Sequence, residues 1–230
     1  MLLASFKIQI RIVKCIVTAG PTYEPLDEVR RLTNFSTGRL GSELVNFLSD
    51  RGHRVTLLIG QPATWRGERN ATVVQTFTTT DDLLERLRAL SAPEVHAVFH
   101  AAAVNDFRFG NVWQGIPGEQ MRRVRANKIP TRAESLLVEL RPTAKVIAEL
   151  RGFFPNAVLV GWKFEVDGSQ KAAIEKAERQ IAENNTNACV ANGAAYGAGF
   201  GIVTGKGKVA HCETTKELFA GLERLLGVKE

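Results

Sequence analysis

Short apolar or β-branched runs alternate along the chain with longer stretches in which apolar residues recur at helical spacing. The runs are KCIVTAG (14–20), RVTLLIG (54–60), VVQTF (73–77), HAVFHAAAV (96–104), LLVEL (136–140), AVLVGW (157–162), ACVAN (188–192) and GFGIVTG (199–205). They predict strands. The intervening GSELVNFLSDRG, TDDLLERLRALS, TAKVIAELRG, GSQKAAIEKAERQIAENN and TTKELFAGLERLLG predict amphipathic helices, several ending in the Gly or Asn that stops a helix. Strands alternating with helices imply an α/β protein: a Rossmann-like three-layer fold with a mostly parallel central sheet. One region breaks the rhythm. Between Asn105 and Ser135 the sequence is polar, basic and without a clear period, and is expected to be a long insertion near the active site. The segment before Arg11 reads as an added edge strand or a frayed terminus.

Composition narrows this picture. With 230 residues, 44% hydrophobic and 23% charged, the chain has ordinary globular material, and a single domain over residues 1–230 is expected. The net charge of +6 suits anionic small molecules at least as well as nucleic acid. Cys15, Cys189 and Cys212 are far apart, odd in number and lack C-x-x-C spacing, so neither a disulfide framework nor a zinc site is encoded. No apolar run approaches a membrane span and no leader is evident, so a cytoplasmic protein without membrane contact is expected.

Candidate chemistry gathers where strands end. KCIVTAG places Gly20 at the carboxyl edge of the first strand, where open α/β sheets bind ligands and a glycine permits close backbone approach. An ordinary Gly-Pro turn would look the same. In RRLTNFSTGRLGSELVNFL, however, Asn34, Ser36, Thr37, Gly38 and Gly41 crowd a helix start, offering hydroxyls and free N–H groups to an anion. A plain cap needs only one such residue. The spacing is neither G-x-G-x-x-G nor a Walker loop, and no acidic residue ends the second strand to hold a ribose, which disfavours a nicotinamide dinucleotide. Ala102, Ala103, Asn105 and Asp106 follow the HAVFH run; small residues allow close ligand contact, and Asp106 could hold a hydroxyl, a metal or a helix cap. His96 and His100 read as core or surface residues. Arg122, Arg123 and Arg125 read as a solvated face, whereas Lys128 on a loop could neutralise charge on a transferring phosphoryl group.

Six blocks in order, TAGPTYEPLDEVRRLTNFSTGRLG, AAAVNDF, KI, PTAKVIAEL, LVGWKFEVD and ACVAN, resemble the phosphopantothenate–cysteine ligase family of coenzyme A biosynthesis, from about Lys14 to the end. The resemblance implies a Rossmann-like homodimer that joins 4′-phosphopantothenate and L-cysteine. A nucleoside triphosphate, CTP or ATP with Mg2+, would convert the carboxylate to an acyl-nucleotidylate with loss of pyrophosphate, and the cysteine amine would displace the nucleotide. It implies catalytic roles for Asn34, which binds the acyl portion and assists the second step, and for Lys128 in carboxylate activation. Nucleotide contacts fall on Gly20, Ser36, Gly38, Gly41, Lys128, Trp162 (usually Phe) and Asn192. Substrate contacts fall on Asn34, Ala102, Ala103 and Asp106, with Arg30 reaching the substrate phosphate in the neighbouring subunit. The metal ligands stay unknown. The chain departs from the family at Gln180 and Asn184, where CTP-using relatives carry lysines, in lacking a K-N-P-D-I block, and at Asn187, where Asp is usual. Only about a dozen residues precede the ligase region, so no flavin-dependent half, and no flavin, is expected. Two other readings compete. A non-catalytic nucleotide- or RNA-binding module would use the basic insertion, but lacks interleaved aromatics for stacking; a Rossmann oxidoreductase lacks its fingerprint.

Overall fold

The computed structural model describes residues 12–115, 121–124, 129 and 135–227. Their frame is an eight-stranded sheet. Six strands lie parallel: β1 (Lys14–Ala19), β4 (Arg54–Gly60), β5 (Val73–Phe77), β6 (Ala97–His100), β10 (Val158–Phe164) and β11 (Ala188–Asn192). Across the sheet they run β5-β4-β1-β6-β10-β11, so strand order reverses between β1 and β6. That is the doubly wound Rossmann order. Two antiparallel strands, β12 (Phe200–Gly205) and β13 (Lys208–Cys212), extend it beyond β11.

Parallel strands are covered on both faces, which is why they read as continuous apolar runs rather than alternating ones. Val17, Leu57, Phe99 and Val190 meet α1 (Arg39–Asp50) and α5 (Thr215–Arg224) through Leu44, Leu48, Leu218 and Leu222. On the opposite face Ile16, Leu58, Val98 and Leu159 meet α2 (Thr80–Ala89) and α3 (Val146–Phe153) through Leu83, Leu87 and Leu150. Ala173 and Ala177 of α4 (Gln170–Asn184) lie against Cys189 and Ala191. Three layers result, as the sequence pattern implies. Each fully buried Leu or Phe contributes about 1.5–3 kcal/mol. All three cysteines are buried and free, and burial pushes the Cys15 and Cys189 thiols up to about 12, leaving them unreactive.

Two expectations need correction. The described part of the 105–135 region is not aperiodic loop. It carries β7 (Phe107–Gly115) and β8 (Arg122–Val124), which join the LLVEL run, β9 (Ser135–Pro142), in a separate antiparallel sheet ordered β8-β7-β9. LLVEL therefore lies outside the central sheet. A register shift between Phe109 and Val112 breaks the side-chain alternation of β7, and β9 is mostly exposed, so neither strand carries a burial signal with period two. The hairpin of β2 (Tyr23–Pro25) and β3 (Arg31–Thr33), like β13, also had no counterpart among the expected strands. With three residues per strand and β3 wholly exposed, the hairpin has no hydrophobic face to betray it. No helix among the described residues is long and apolar enough to cross a membrane.

Candidate active site at the strand-order reversal

Reversal between β1 and β6 opens a crevice at their carboxyl ends, and the candidate residues gather around it. β1 runs into Gly20 at φ 75°, where a Cβ would stand 2.9 Å from Ala63 Cβ and 3.3 Å from Gly60 N. Only glycine suits that turn. Gly38, at φ 77°, caps α1 without a side chain, while Thr37 Oγ1 accepts from Arg39 N at 3.3 Å. The N–H groups that follow are therefore left to a ligand or water, at the positive end of the helix. Gly41 faces the other way. A Cβ there would lie 2.6 Å from Ala19 Cβ, so this glycine lets α1 settle onto β1. Ser36 is half-buried in the turn between β3 and Gly38.

The segment leaving β6 forms the opposite wall. His100 is buried, and its Nδ1 lies 2.8 Å from Thr18 Oγ1, which accepts from Ala102 N at 3.2 Å. Thr18 Oγ1 thus joins the imidazole to the Ala102 N–H, its second lone pair or its proton meeting Nδ1. Burial lowers the His100 pKa from 6.5 to about 4, keeping the imidazole neutral. Ala103 N donates to Gly20 O at 3.0 Å and Ala103 O accepts from Thr22 N at 3.1 Å. The same carbonyl accepts from Asn34 Nδ2 at 3.1 Å. Thus Gly20, Asn34, Ala102 and Ala103, distant in sequence, come together. Asp106 is exposed in a bend before β7 and caps no helix; its carbonyl accepts from Thr143 N at 3.0 Å.

Arg30 is tied within its own chain. Its Nε donates to Asp27 Oδ2 at 3.0 Å and its Nη2 to Ile129 O at 2.7 Å. Ile129 N in turn donates to Asp27 Oδ2 at 3.1 Å. The Arg30 guanidinium, above all, holds the Asp27 carboxyl well below the usual carboxylate range. Lys128 and Arg125 lie outside the described residues, whereas Arg122 and Arg123 lie exposed on β8. The chain immediately after Lys128 is thus pinned beside the hairpin that bears Asn34.

Trp162 lies two residues before the end of β10, and Asn192 ends β11. Trp162 packs on the α1 side of the sheet, the face Asn192 shares by alternation from Val190. Trp162 Nε1 and Asn192 Oδ1 are buried and, among the described residues, without hydrogen-bond partners, which leaves one donor and one acceptor unsatisfied. A cluster absent from the expected site lies next to them: Lys163 approaches Glu165 at 3.4 Å and Lys176 pairs with the same carboxylate. Burial works to raise the Glu165 pKa, but the two ammonium groups hold it below the ordinary value. The WKFE string carries the signal for two of the three; Lys176 joins them only because α4 folds back over β10.

The departures at Gln180 and Asn184 prove to be packing positions. Gln180 Nε2 lies over Gly161, 2.3 Å from where a Cβ would stand, and donates to Cys189 Sγ at 3.2 Å. Asn184 Nδ2 donates to Gln180 O at 2.8 Å. Asn187 Oδ1 accepts from Leu159 N at 2.8 Å and from Arg151 Nη2 at 2.9 Å, work that an Asp oxygen would do equally well. Asn187→Leu should therefore cost about 1–3 kcal/mol in chemical denaturation, by stranding the Leu159 N–H, while Asn187→Asp should cost nothing or stabilise. Equal losses in both variants would contradict this account.

Among the described residues no group of three His, Cys, Asp or Glu side chains could cage a metal. His96 Nδ1 accepts from Lys14 N at 3.1 Å.

Residues 10–223 match the family described as the DNA/pantothenate metabolism flavoprotein C-terminal domain. The coenzyme A biosynthesis bifunctional protein CoaBC of Thermococcus kodakarensis is 31% identical over 180 residues, 78% of this chain and 41% of that protein. The chain thus spans less than half the length of that relative. A crystal structure of the DNA/pantothenate metabolism flavoprotein from Streptococcus pneumoniae has the same fold, with a TM-score of 0.79 at 23% identity, covering 94% of this chain and 98% of that one. A Cab2 H337A variant, solved in complex with phosphopantothenate-cysteine, shares the fold at TM-score 0.67 and 16% identity over 94% of this chain and 87% of its own. By its matched residues and its motifs, this chain belongs to the DNA/pantothenate metabolism flavoprotein C-terminal domain family, the family of the phosphopantothenate–cysteine ligases.

Proposed function

We propose that residues 1–230 act as a single phosphopantothenate–cysteine ligase domain of coenzyme A biosynthesis. It joins 4′-phosphopantothenate to L-cysteine through an acyl-nucleotidylate, at the expense of CTP or ATP with Mg2+. The observation that carries this reading is the Asn34 amide, held over the Ala103 carbonyl at the mouth of the crevice that Gly20 and Gly38 open. Anchoring Nδ2 leaves the Asn34 Oδ1 lone pairs available to orient an N–H of an attacking amine, and orientation is most of what an amine needs.

The first step needs charge neutralisation. A carboxylate becomes a fair acceptor only with a good leaving group, and the triphosphate must lose pyrophosphate. Gly38 and the α1 N-terminus receive phosphate oxygens, Ser36 donates to them, and Lys128 neutralises the charge that develops. Mg2+ favours oxygen ligands and retains water, and would be held by the triphosphate oxygens. Trp162 and Asn192 supply one donor and one acceptor for the base; Ala102, Ala103 and Asp106 border the acyl substrate. A homodimer completes the site, with Arg30 directed to the partner's substrate phosphate. Exposed Val29, Phe35, Phe107, Leu137 and Leu140, on the hairpin segment and the outer sheet, supply the apolar surface for such a contact.

The test incubates the protein with Mg2+, 4′-phosphopantothenate, cysteine and either nucleotide, and measures pyrophosphate and the amide by mass. Product with one nucleotide is expected. Lys128→Ala should lower pyrophosphate release by about 100-fold or more. No product from either nucleotide, while a known ligase turns over alongside, would overturn the assignment; salt-sensitive oligonucleotide binding in its place would favour the nucleic-acid module.

A further inference from the structure

Asn34 stands one residue past β3, on a hairpin that no hydrophobic face secures: Arg31, Leu32 and Thr33 are all exposed. Two isolated short strands are at best marginal in water, so the position of Asn34 depends on its tethers. Thr33 Oγ1 donates to Thr22 O at 2.8 Å, tying β3 to the residue before β2, whose own N–H donates to Ala103 O. Among the described residues, two hydrogen bonds tie β3 and Asn34 to the segment leaving β6. One is Asn34 Nδ2 to Ala103 O; the other is Asn105 Nδ2 to Leu32 O at 3.1 Å. The first is the orientation of the amide itself. Of these two, only the second acts on the orientation from outside the Asn34 side chain; β2 is anchored separately, by Tyr23 N to Thr78 O at 3.0 Å and by Thr80 N to Glu24 Oε1 at 3.0 Å.

Asn105 is built for such a task. It is 4% exposed, and its backbone N–H donates to Thr22 Oγ1 at 2.9 Å while its carbonyl accepts from the Thr143 hydroxyl. Two other chain segments therefore fix its backbone, and its side chain then reaches across to the strand that precedes Asn34. Ala103 is two residues from Asn105 along the same pinned segment, so one rigid element positions both the hairpin and the carbonyl on which the Asn34 amide rests.

We propose that Asn105 is a positioning residue for Asn34, holding β3 so that the Asn34 amide meets the attacking amine in the second half-reaction. The inference rests on the ligase reading of Asn34 given above. Without the Asn105 side chain β3 keeps its ladder with β2 and the Thr33 to Thr22 bond but loses the brace nearest Asn34, and the amide is less firmly aimed. Misplacement of a reacting group by about 1 Å can cost on the order of 100-fold in rate.

Asn105→Ala and the isosteric Asn105→Asp, which keeps the volume but loses the donor to Leu32 O, are compared with wild type in both half-reactions. Pyrophosphate release before cysteine is added should stay within about twofold, whereas amide formation should slow about 10- to 100-fold and the acyl-nucleotidylate should accumulate. The decisive comparison adds Asn105→Ala to Asn34→Ala. Because residues acting as a unit are not additive, the second replacement should change amide formation little once Asn34 is gone. Equal slowing of both half-reactions in both Asn105 variants, or a full further loss in the double variant, would overturn the proposal. Should Asn34→Ala alone leave the amide step untouched, the reading of Asn34 itself fails and takes this inference with it; selective slowing in Asn34→Ala but not in Asn105→Ala rejects only the positioning role.

Discussion

Asn34→Ala is expected to slow amide formation by about 100-fold or more while pyrophosphate release continues, so that acyl-nucleotidylate builds up before cysteine captures it. The asymmetry follows from where the amide stands. Asn34 is exposed at the crevice mouth, beside β3 rather than among the glycines at the α1 start, and its Nδ2 donates to Ala103 O. It can orient an incoming nucleophile but has no part in neutralising a triphosphate. Asn34→Asp should fare no better. A carboxylate cannot donate to Ala103 O, and two oxygens at the 3.1 Å separation now bridged by a hydrogen bond would repel. Quenching at short times and weighing the acyl-nucleotidylate against the amide measures the effect directly. If pyrophosphate release fell as far as amide formation, Asn34 would belong to the first step and the assigned division of labour would be wrong.

The fold should lose up to about 3 kcal/mol between pH 6.5 and pH 4 through His100 alone. Burial depresses its pKa from 6.5 to about 4, so in that window the unfolded chain binds a proton that the folded chain refuses. Stability from this source is complete above pH 6.5 and is lost as pH falls through the folded value. The site of the loss matters. Placing a charge on the buried His100 ring, beside the Thr18 hydroxyl that also receives Ala102 N, should loosen the wall of the crevice that bears Ala102 and Ala103. Denaturant titrations at several pH values should show uptake of close to one proton on unfolding over this range. His100→Gln should flatten the dependence by that amount. An unchanged slope in the variant would remove His100 as its source.

The pinned hairpin, the cradle and the brace under Ala102 differ in how far they could be read without coordinates. Gly20, Gly38 and Gly41 were legible because a positive φ or a close approach demands glycine, although Gly41 turned out to face Ala19 rather than the crevice. Asn105 and Lys176 were not. An Asn in an Ala-rich stretch reads equally well as a turn residue, and a Lys on a polar helix face reads as solvated. Their partners, Leu32 O at 73 residues' separation and Glu165 at 11, were invisible until the chain folded. Asn187, without an account in the sequence, acquires one from its bonds to Leu159 N and Arg151.

Local patterning by itself determined the α/β alternation and the three-layer architecture, since buried strands must be apolar on both faces and each covering helix must show one apolar stripe, while the family came from the ordered motif blocks. Tertiary structure decided the rest: the reversal between β1 and β6 that makes a crevice, the exposed hairpin, the β8-β7-β9 sheet and the hydrogen bonds that aim Asn34. The physical reason is common to them all. Periodicity reports which residues face a core, whereas a site held by hydrogen bonds between exposed or irregular segments leaves no period, and only the folded chain brings its donors to its acceptors.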